Sequence, residues 1–454
     1  MHVLLLLAGR SRRFAPLKEK TLWPFLGEPL LAHQLKRMKE GGLEKITFVG
    51  GHHNLEEVHA LFPKIPSIEQ EDLNLGMRGA LLSALKEIKG GPVCIVSSND
   101  VIEPEGYRKL IEASKTEGID GVILAQKVDR YFPGGYLVTS PKPLRDASTE
   151  PVLSGAERSR RAQHDVHLPR IAGVVEKPGQ GREPSDLVNI VAHIHNHPEK
   201  LLDILEDAST ARDDAYEVAL TKLCKELNYV AAPYEAEWSS VKYPWHILDL
   251  TERFLREIEK SEMRNQKSDI HPSAIIEGPV ILEEGVRVMP HATIQGPCYI
   301  GRGTIIGNNC LIRDSIIGEQ CVIGYSSEIA RSNLHSHVWT HSTYLGDSVI
   351  GQNVAFGSGS VVANFRLDEG EISSMVQEEE VNTQRKKLGV VIGNNVRVGI
   401  HASFAPGVKV GEGSFISTAT YVSRDVAENK YVHTHEGVLE ERENKVVVPG
   451  IRST

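Results

Sequence analysis

The sequence predicts two folds in one chain: a doubly wound, mostly parallel α/β sheet, then a left-handed parallel β-helix of hexapeptide repeats. Three observations point there. At 454 residues the chain exceeds one ordinary core, so two or three domains are expected. Up to about residue 250, short apolar runs alternate with amphipathic stretches. Beyond about residue 270 an aliphatic side chain returns at every sixth position instead.

In the first half, "HVLLLLA", "KITFVG", "PVCIVSS" and "GVILAQ" read as strands. Their apolar character is continuous rather than alternating, as in strands covered on both faces. Between them "PLLAHQLKRMKEGG", "LGMRGALLSALKEIKGG" and "EGYRKLIEASKTEG" carry apolar residues at helical spacing, with Gly at their ends. Strand–helix alternation of this kind builds a parallel sheet whose ligands sit beyond the carboxyl ends of the strands. The stretch from Ser140 to Pro169 has no period and reads as an insertion. The run "YPWHILDLTERFLREIEKSEMRNQ" reads as a closing helix. The expected domains are 1–250, a linker helix over 251–270, the β-helix over 271–428 and a tail over 429–454.

In the second half the sixth-position residues are Ile276, Leu282, Val288, Ile294, Ile300, Ile306 and Ile312. The pattern slips, then resumes at Ile392, Val398, Phe404, Val410, Ile416 and Val422. Three hexapeptides close one triangular coil, with the aliphatic side chains stacked inside. The stretch "RLDEGEISSMVQEEEVNTQRKK" interrupts the coils as an arm.

A composition of 40% hydrophobic and 24% charged residues is that of a soluble globular protein, and a net charge of -9 argues against a dedicated nucleic-acid binder. The five cysteines are scattered singly, against both a disulfide framework and a zinc site. No apolar run is long enough for a membrane span, and a cytoplasmic protein is expected.

The first strand ends in "LAGRSRRFAPLKEKTLWPFLGEP", a glycine followed by a dense set of cations. Gly9 allows close approach of a ligand to the backbone, and Arg13 and Lys20 can neutralise a triphosphate and the pyrophosphate it releases. Asp100, in "VSSNDV" at the end of an apolar strand, can hold Mg²⁺ against phosphates.

The whole opening stretch resembles the signature of the sugar-1-phosphate nucleotidylyltransferases, with Ser11 where a second glycine is usual and Glu19 where a proline is usual. "EQEDLNLGMRGAL", "GVVEKPG", "LVNIVAHIH" and "EWSSVKYPWHILDL" resemble further landmarks of that family, in order. The resemblance covers about the first 250 residues and implies a Rossmann-like nucleotidyltransferase fold. It places Ala8, Gly9, Ser11, Gln70 and Gly76 at the nucleotide, and Glu176 and Asn189 at the sugar. Arg13, Lys20 and Lys177 become the catalytic cations and Asp100 the metal ligand. Ser239 or Ser240 stands where the family has an aspartate. The implied reaction is attack of a sugar phosphate oxygen on the α-phosphorus of UTP or dTTP. Gln70 suits either base, and N-acetylglucosamine-1-phosphate or glucose-1-phosphate is the implied acceptor.

In the second half, "HSTYLGDSVIGQNVAFGSGSVVANF" resembles the acetyltransferase segment of the bifunctional N-acetylglucosamine-1-phosphate uridylyltransferase/glucosamine-1-phosphate acetyltransferases. On that pattern His341 is the general base, Tyr344 and Arg331 contact the acetyl acceptor, and Ser358, Asn364 and Phe365 contact acetyl-CoA. Ala330 and Ala355 depart from the pattern, at the places of an acceptor-contacting lysine and asparagine. Such β-helices commonly assemble as trimers. Two alternatives stand beside a bifunctional enzyme: a nucleotidylyltransferase whose β-helix only oligomerises, and a non-catalytic regulatory or scaffold subunit.

Overall fold

The computed structural model describes residues 1–88, 90–140, 168–208, 210, 214–259, 264–265, 267–435 and 438–444. All but the ends of the expected insertion lies outside them. Contacts divide the chain into two compact units, Met1–Arg10 with Leu31–Ser239 and Ser11–Leu30 with Ser240–Thr454.

The first unit is built on a nine-stranded sheet. His2–Leu6 lies between Ile46–Gly50 and Val93–Ser97, parallel to both, and Ser67–Glu69 extends the row in parallel. This is the half in which helices alternate with strands. From Gly121 onward the order changes, and antiparallel pairing enters the sheet. Leu187–His195 accordingly runs antiparallel to Val93–Ser97 and to Gly121–Lys127. Gly135–Thr139 and Ile171–Glu176 form a further antiparallel pair. The helix Ala215–Glu226 then restores a crossover, so Tyr229–Tyr234 pairs parallel with Gly121–Lys127. The sheet is therefore mixed, parallel in its first half and reversed through Leu187–His195. Helices Gly76–Glu87, Pro198–Asp207 and Ala215–Glu226 bury Leu81, Leu201, Leu205, Leu220 and Leu223 against Leu4, Val49, Ile95 and Ala125 of the strands.

The second unit contains the parallel β-helix. Its strands form three ladders, one of which carries Ile276, Ile294, Ile312, Ile329 and Leu345 in register. The slip in the hexapeptide pattern has a simple geometry. Ile294 and Ile312 are eighteen positions apart, Ile312 and Ile329 seventeen, and Ile329 and Leu345 sixteen. The corners shorten while the interior stack is kept. The arm leaves between Ile350 and Ile392, which still pair, and contains the antiparallel hairpin Ile372–Val376 with Glu379–Arg385. The last coil is extended by Lys430–His435, which pairs parallel with Phe415–Ile416 and turns back as Val438–Glu443. Strand structure thus continues into the stretch expected as a tail. The closing helix spans His246–Glu259.

Ser11–Leu30, most of the cationic opening stretch, packs in this second unit rather than with the sheet whose first strand it follows. Trp23 is buried, and its Nε1 donates to Asn333 Oδ1 at 3.0 Å, while Asn333 Nδ2 donates to Thr251 Oγ1 at 2.9 Å. Phe25 stacks on Phe254 at 4.9 Å, and Lys18 pairs with Glu412. Buried aromatic surface outweighs chain continuity here, at roughly 25 cal/mol per Å² of apolar area removed from water.

All five cysteines are free and buried, and burial pushes the thiols of Cys94, Cys224, Cys298 and Cys321 up to about 12. They are packing residues with inert thiols. Among the described residues, no helix is long and apolar enough to cross a membrane.

Candidate functional sites

In the sheet unit the first strand delivers Ala8 and Gly9 to its carboxyl end. Leu7 is fixed there by Leu7 N–H to the Val49 carbonyl at 2.7 Å and by Asn54 Nδ2 to the Leu7 carbonyl at 2.9 Å. Ala8 is buried, whereas Gly9 is exposed with nothing within 4 Å of the place a Cβ would take. That open backbone suits a phosphate.

Gln70 is 2% exposed, and its Nε2 donates to the carbonyls of Asp72 at 2.7 Å and Gly76 at 2.9 Å. The amide nitrogen thus braces its own loop and leaves Oε1, an acceptor, for the N–H of a pyrimidine edge. Gly76 holds φ 53° and ψ -139°, a conformation open to glycine and strained for other residues.

Asp100 is 5% exposed, with Oδ1 accepting from Trp238 Nε1 at 2.9 Å. Gln34 Nε2 clamps the same turn through the carbonyls of Ser98 and Asp100, at 2.7 and 3.0 Å. Among the described residues, no three His, Cys, Asp or Glu side chains gather where they could hold a metal. Asp100 lies beyond the end of Val93–Ser97 and opens the short strand Asp100–Ile102 rather than ending a strand as expected, and one carboxylate there still fits Mg²⁺, which takes one or two protein carboxylates and completes its shell with phosphates and water.

The predicted sugar residues do converge. A Cβ on Gly135 would lie 3.0 Å from Glu176 Oε2, 3.2 Å from Val174 Cγ1 and 3.5 Å from Asn189 Cβ, so Glu176 and Asn189 both lie beside Gly135. Lys177 follows with φ 45°, its N–H on the Gly134 carbonyl at 3.1 Å and its Nζ 3.5 Å from Glu176 Oε1. Gly135 was absent from the sequence reading. Its only signal is the Gly–Gly pair of "PGGYLVT", at the start of a strand.

In the second unit Ser11 adopts φ 48°, which explains why glycine is usual at its place in the signature. Arg13 is exposed. Lys20 is 9% exposed, with Nζ donating to the Val241 carbonyl at 3.3 Å. Glu19 turns its carboxylate onto Thr21 Oγ1 at 2.8 Å and caps the short turn Lys20–Leu22. It does the work of a turn former at a place where proline is usual.

On the β-helix a cleft of about 430 Å³ is lined by Arg313, Arg331, Tyr344, Asn364, Phe365 and Lys387. Arg331 grips Asp347 through two bonds, Nε to Oδ1 at 2.9 Å and NH2 to Oδ2 at 2.8 Å, which raise the guanidinium's pKa. Asn364 Nδ2 donates to Tyr344 Oη at 3.2 Å and to Asp347 Oδ2. Arg313 pairs with Glu328. The sequence reading overlooked Arg313 and Asp347, although Asp347 lies in the quoted "YLGD". His341 and Ser358 are exposed and are not among the side chains lining this cleft.

Two family models match the chain. Residues 3–171 match the MobA-like NTP transferase domain, and residues 258–382 match the GMPPB C-terminal domain. The chain is 28% identical to a bifunctional protein GlmU of Methanococcus aeolicus, over 97% of this chain and 98% of that protein. It is also 28% identical to a bifunctional sugar-1-phosphate nucleotidylyltransferase/acetyltransferase of Sulfurisphaera tokodaii, over 95% of this chain and 99% of that protein.

Proposed function

We propose, for a chain whose residues 3–171 match the MobA-like NTP transferase domain and whose later sequence forms a β-helix, an enzyme that joins a sugar 1-phosphate to UTP or dTTP and releases pyrophosphate. The observation that carries the proposal is the convergence of Glu176, Lys177 and Asn189 around Gly135. A carboxylate, a carboxamide and an ammonium offer two ligands for hydroxyls and a counter-charge for a phosphate. The sugar is N-acetylglucosamine-1-phosphate or glucose-1-phosphate.

One oxygen of the sugar phosphate forms a bond to the α-phosphorus, and the bond from that phosphorus to the β-bridging oxygen breaks. Negative charge moves onto the departing pyrophosphate, so catalysis is positioning and charge neutralisation. Lys177 neutralises the attacking phosphate. The open backbone at Gly9 is assigned to a phosphate oxygen and Gln70 Oε1 to the base. Mg²⁺, when bound, adds positive charge at the phosphates, and Asp100 is the carboxylate that would hold it.

The test is pyrophosphate release from Mg²⁺, UTP or dTTP and each sugar 1-phosphate, with Lys177→Ala as the control. Release that falls about a hundredfold in the variant supports the reading. No release from folded protein with any pair of substrates leaves the non-catalytic subunit.

The cleft on the β-helix favours a second activity, acetyl transfer from acetyl-CoA to glucosamine-1-phosphate or a related amino sugar phosphate. Arg313, Arg331 and Lys387 suit the acceptor's phosphate, and Tyr344 its hydroxyls. His341 would take the proton of the attacking amine as the acyl–sulfur bond breaks. Ser358, Asn364 and Phe365 are assigned to acetyl-CoA, and a homotrimer is the proposed assembly. Free thiol released from acetyl-CoA only when the amino sugar phosphate is present would establish it. Absence of release would leave the β-helix as an oligomerisation module.

A further inference from the structure

Behind Asn189 the sheet unit contains a run of buried polar side chains for which the proposed reaction has no use. Asn189 Oδ1 lies 2.7 Å from His193 Nε2, and His193 Nδ1 lies 2.7 Å from Tyr216 Oη. Tyr216 Oη lies 3.1 Å from His195 Nε2, and His195 Nδ1 lies 2.7 Å from Tyr229 Oη. Both histidines are fully buried and both tyrosines are 1% exposed. Burial pushes both imidazoles down to about 3, so both are neutral at ordinary pH and each has one N–H.

The protons in this run can be ordered. A carboxamide oxygen only accepts, so His193 Nε2–H donates to Asn189 and His193 Nδ1 must accept. Tyr216 O–H donates to it, and the Tyr216 oxygen then accepts from His195 Nε2–H. His195 Nδ1 is left to accept from Tyr229 O–H. Every group is satisfied. In the reverse order, with the carboxamide flipped, Tyr229 would accept from His195 and its own hydrogen would point into the core. Tyr229 Oη has no second hydrogen-bond partner among the described residues, and a buried donor without a partner carries its full desolvation cost. The two directions are therefore unequal.

We infer that His193, Tyr216, His195 and Tyr229 form a one-way hydrogen-bond chain that locks the Asn189 carboxamide, so that its Nδ2 hydrogens are offered to an acceptor oxygen of the bound sugar phosphate. The inference rests on the proposal that Asn189 and Glu176 hold the sugar. Asn189 Oδ1 is committed to His193, and Nδ2 has no partner among the described residues. Glu176, across Gly135, offers an acceptor. The pair thus asks for a hydroxyl hydrogen on one side and an oxygen lone pair on the other. His193 is a positioning residue, and the tyrosines extend its hold.

Two measurements test this on the full-length protein. The first is imidazole ¹⁵N NMR of histidine-labelled wild type, with the two signals assigned by their loss in His193→Phe and His195→Phe. Both rings should be neutral Nε2–H tautomers from pH 7 to pH 5. The second is steady-state kinetics. In His193→Phe the KM for the sugar 1-phosphate should rise about tenfold, the value of one lost hydrogen bond, with the KM for the nucleoside triphosphate unchanged. His193→Gln, whose amide N–H can replace Nε2–H, should recover most of that loss. A purely packing role would lower the melting temperature without splitting the two KM values.

Nδ1–H tautomers, mixed tautomers, or an unchanged sugar KM in folded His193→Phe would overturn the inference. If wild type transfers no nucleotide at all, the functional proposal fails. The tautomers then still decide whether the chain is one-way.

Discussion

In the β-helix, residues that touch sit about one coil apart in sequence. Ile294 lies over Ile312, Arg331 reaches Asp347 sixteen positions on, and Asn364 reaches Tyr344 twenty positions back. In the sheet unit no such interval exists. Asp100 meets Trp238 across 138 positions, while Asn189 meets His193 after four and, through it, Tyr216. A repeat turns sequence spacing into spatial register, and four of the six residues lining its cleft, Arg331, Tyr344, Asn364 and Phe365, were named from the chain. A mixed sheet gives each contact its own history, and there only the ligand-facing motifs are readable.

Three perturbations bear on this contrast, in descending order of effect. Trp23→Ala removes a buried indole from the second unit and leaves Asn333 Oδ1 without its donor. It should destabilise that unit by about 3–5 kcal/mol in denaturant unfolding, the usual cost of a large aromatic truncation. A change below about 1 kcal/mol would return Ser11–Leu30 to the ranks of surface loops.

Acid should act more strongly on the sheet unit. The folded pKa values of His193 and His195, at about 3, lie below the ordinary 6.5. The unfolded chain therefore binds more protons between those values. The stabilisation is complete above pH 6.5 and is lost progressively as pH falls towards 3. At pH 5 each histidine should have given up about 2 kcal/mol. The second unit has His335, held at about 4 by burial and by neighbouring His337, and burial also lowers His246 and His337 there. Hydrogen exchange at pH 7 and pH 5 should show the strand Leu187–His195 losing more protection than the strand Asn333–Leu334 beside His335. Equal losses would contradict the assignment of the buried run.

Arg331→Met leaves Asp347, 2% exposed, with Asn364 as its remaining side-chain partner. Arg331 itself is partly exposed, so the loss of stability should be about 2 kcal/mol, below that of a fully buried pair. Binding of inorganic phosphate to the cleft should weaken by about tenfold if that guanidinium serves an anion.

The sequence made different features legible for physical reasons. The aliphatic ladder from Ile276 to Ile312 announced itself, because interior positions of a coil admit little else. The parallel half of the sheet followed from strand–helix alternation. The reversed half did not, since nothing in "GGYLVT" or "LVNIVAHIH" says which neighbour each strand will choose. The packing of Ser11–Leu30 was hidden for the same reason, because Asn333, the partner of Trp23, is 310 positions away. Nor did His193 and His195 stand out from the other histidines, since their meaning comes from Tyr216 and Tyr229 on other elements. Glu176, Lys177 and Asn189 were legible as family motifs, while Gly135, which lies beside Glu176 and Asn189, carries a signal that any turn could carry.

The central claim is direct nucleotidyl transfer in the sheet unit, and the reverse reaction tests it most sharply. Protein with Mg²⁺, labelled pyrophosphate and UDP-N-acetylglucosamine or UDP-glucose should move the label into UTP, and the transfer should require the nucleotide sugar and Lys177. Label that reaches no nucleoside triphosphate, from folded protein with any uridine or thymidine nucleotide sugar, would contradict the account.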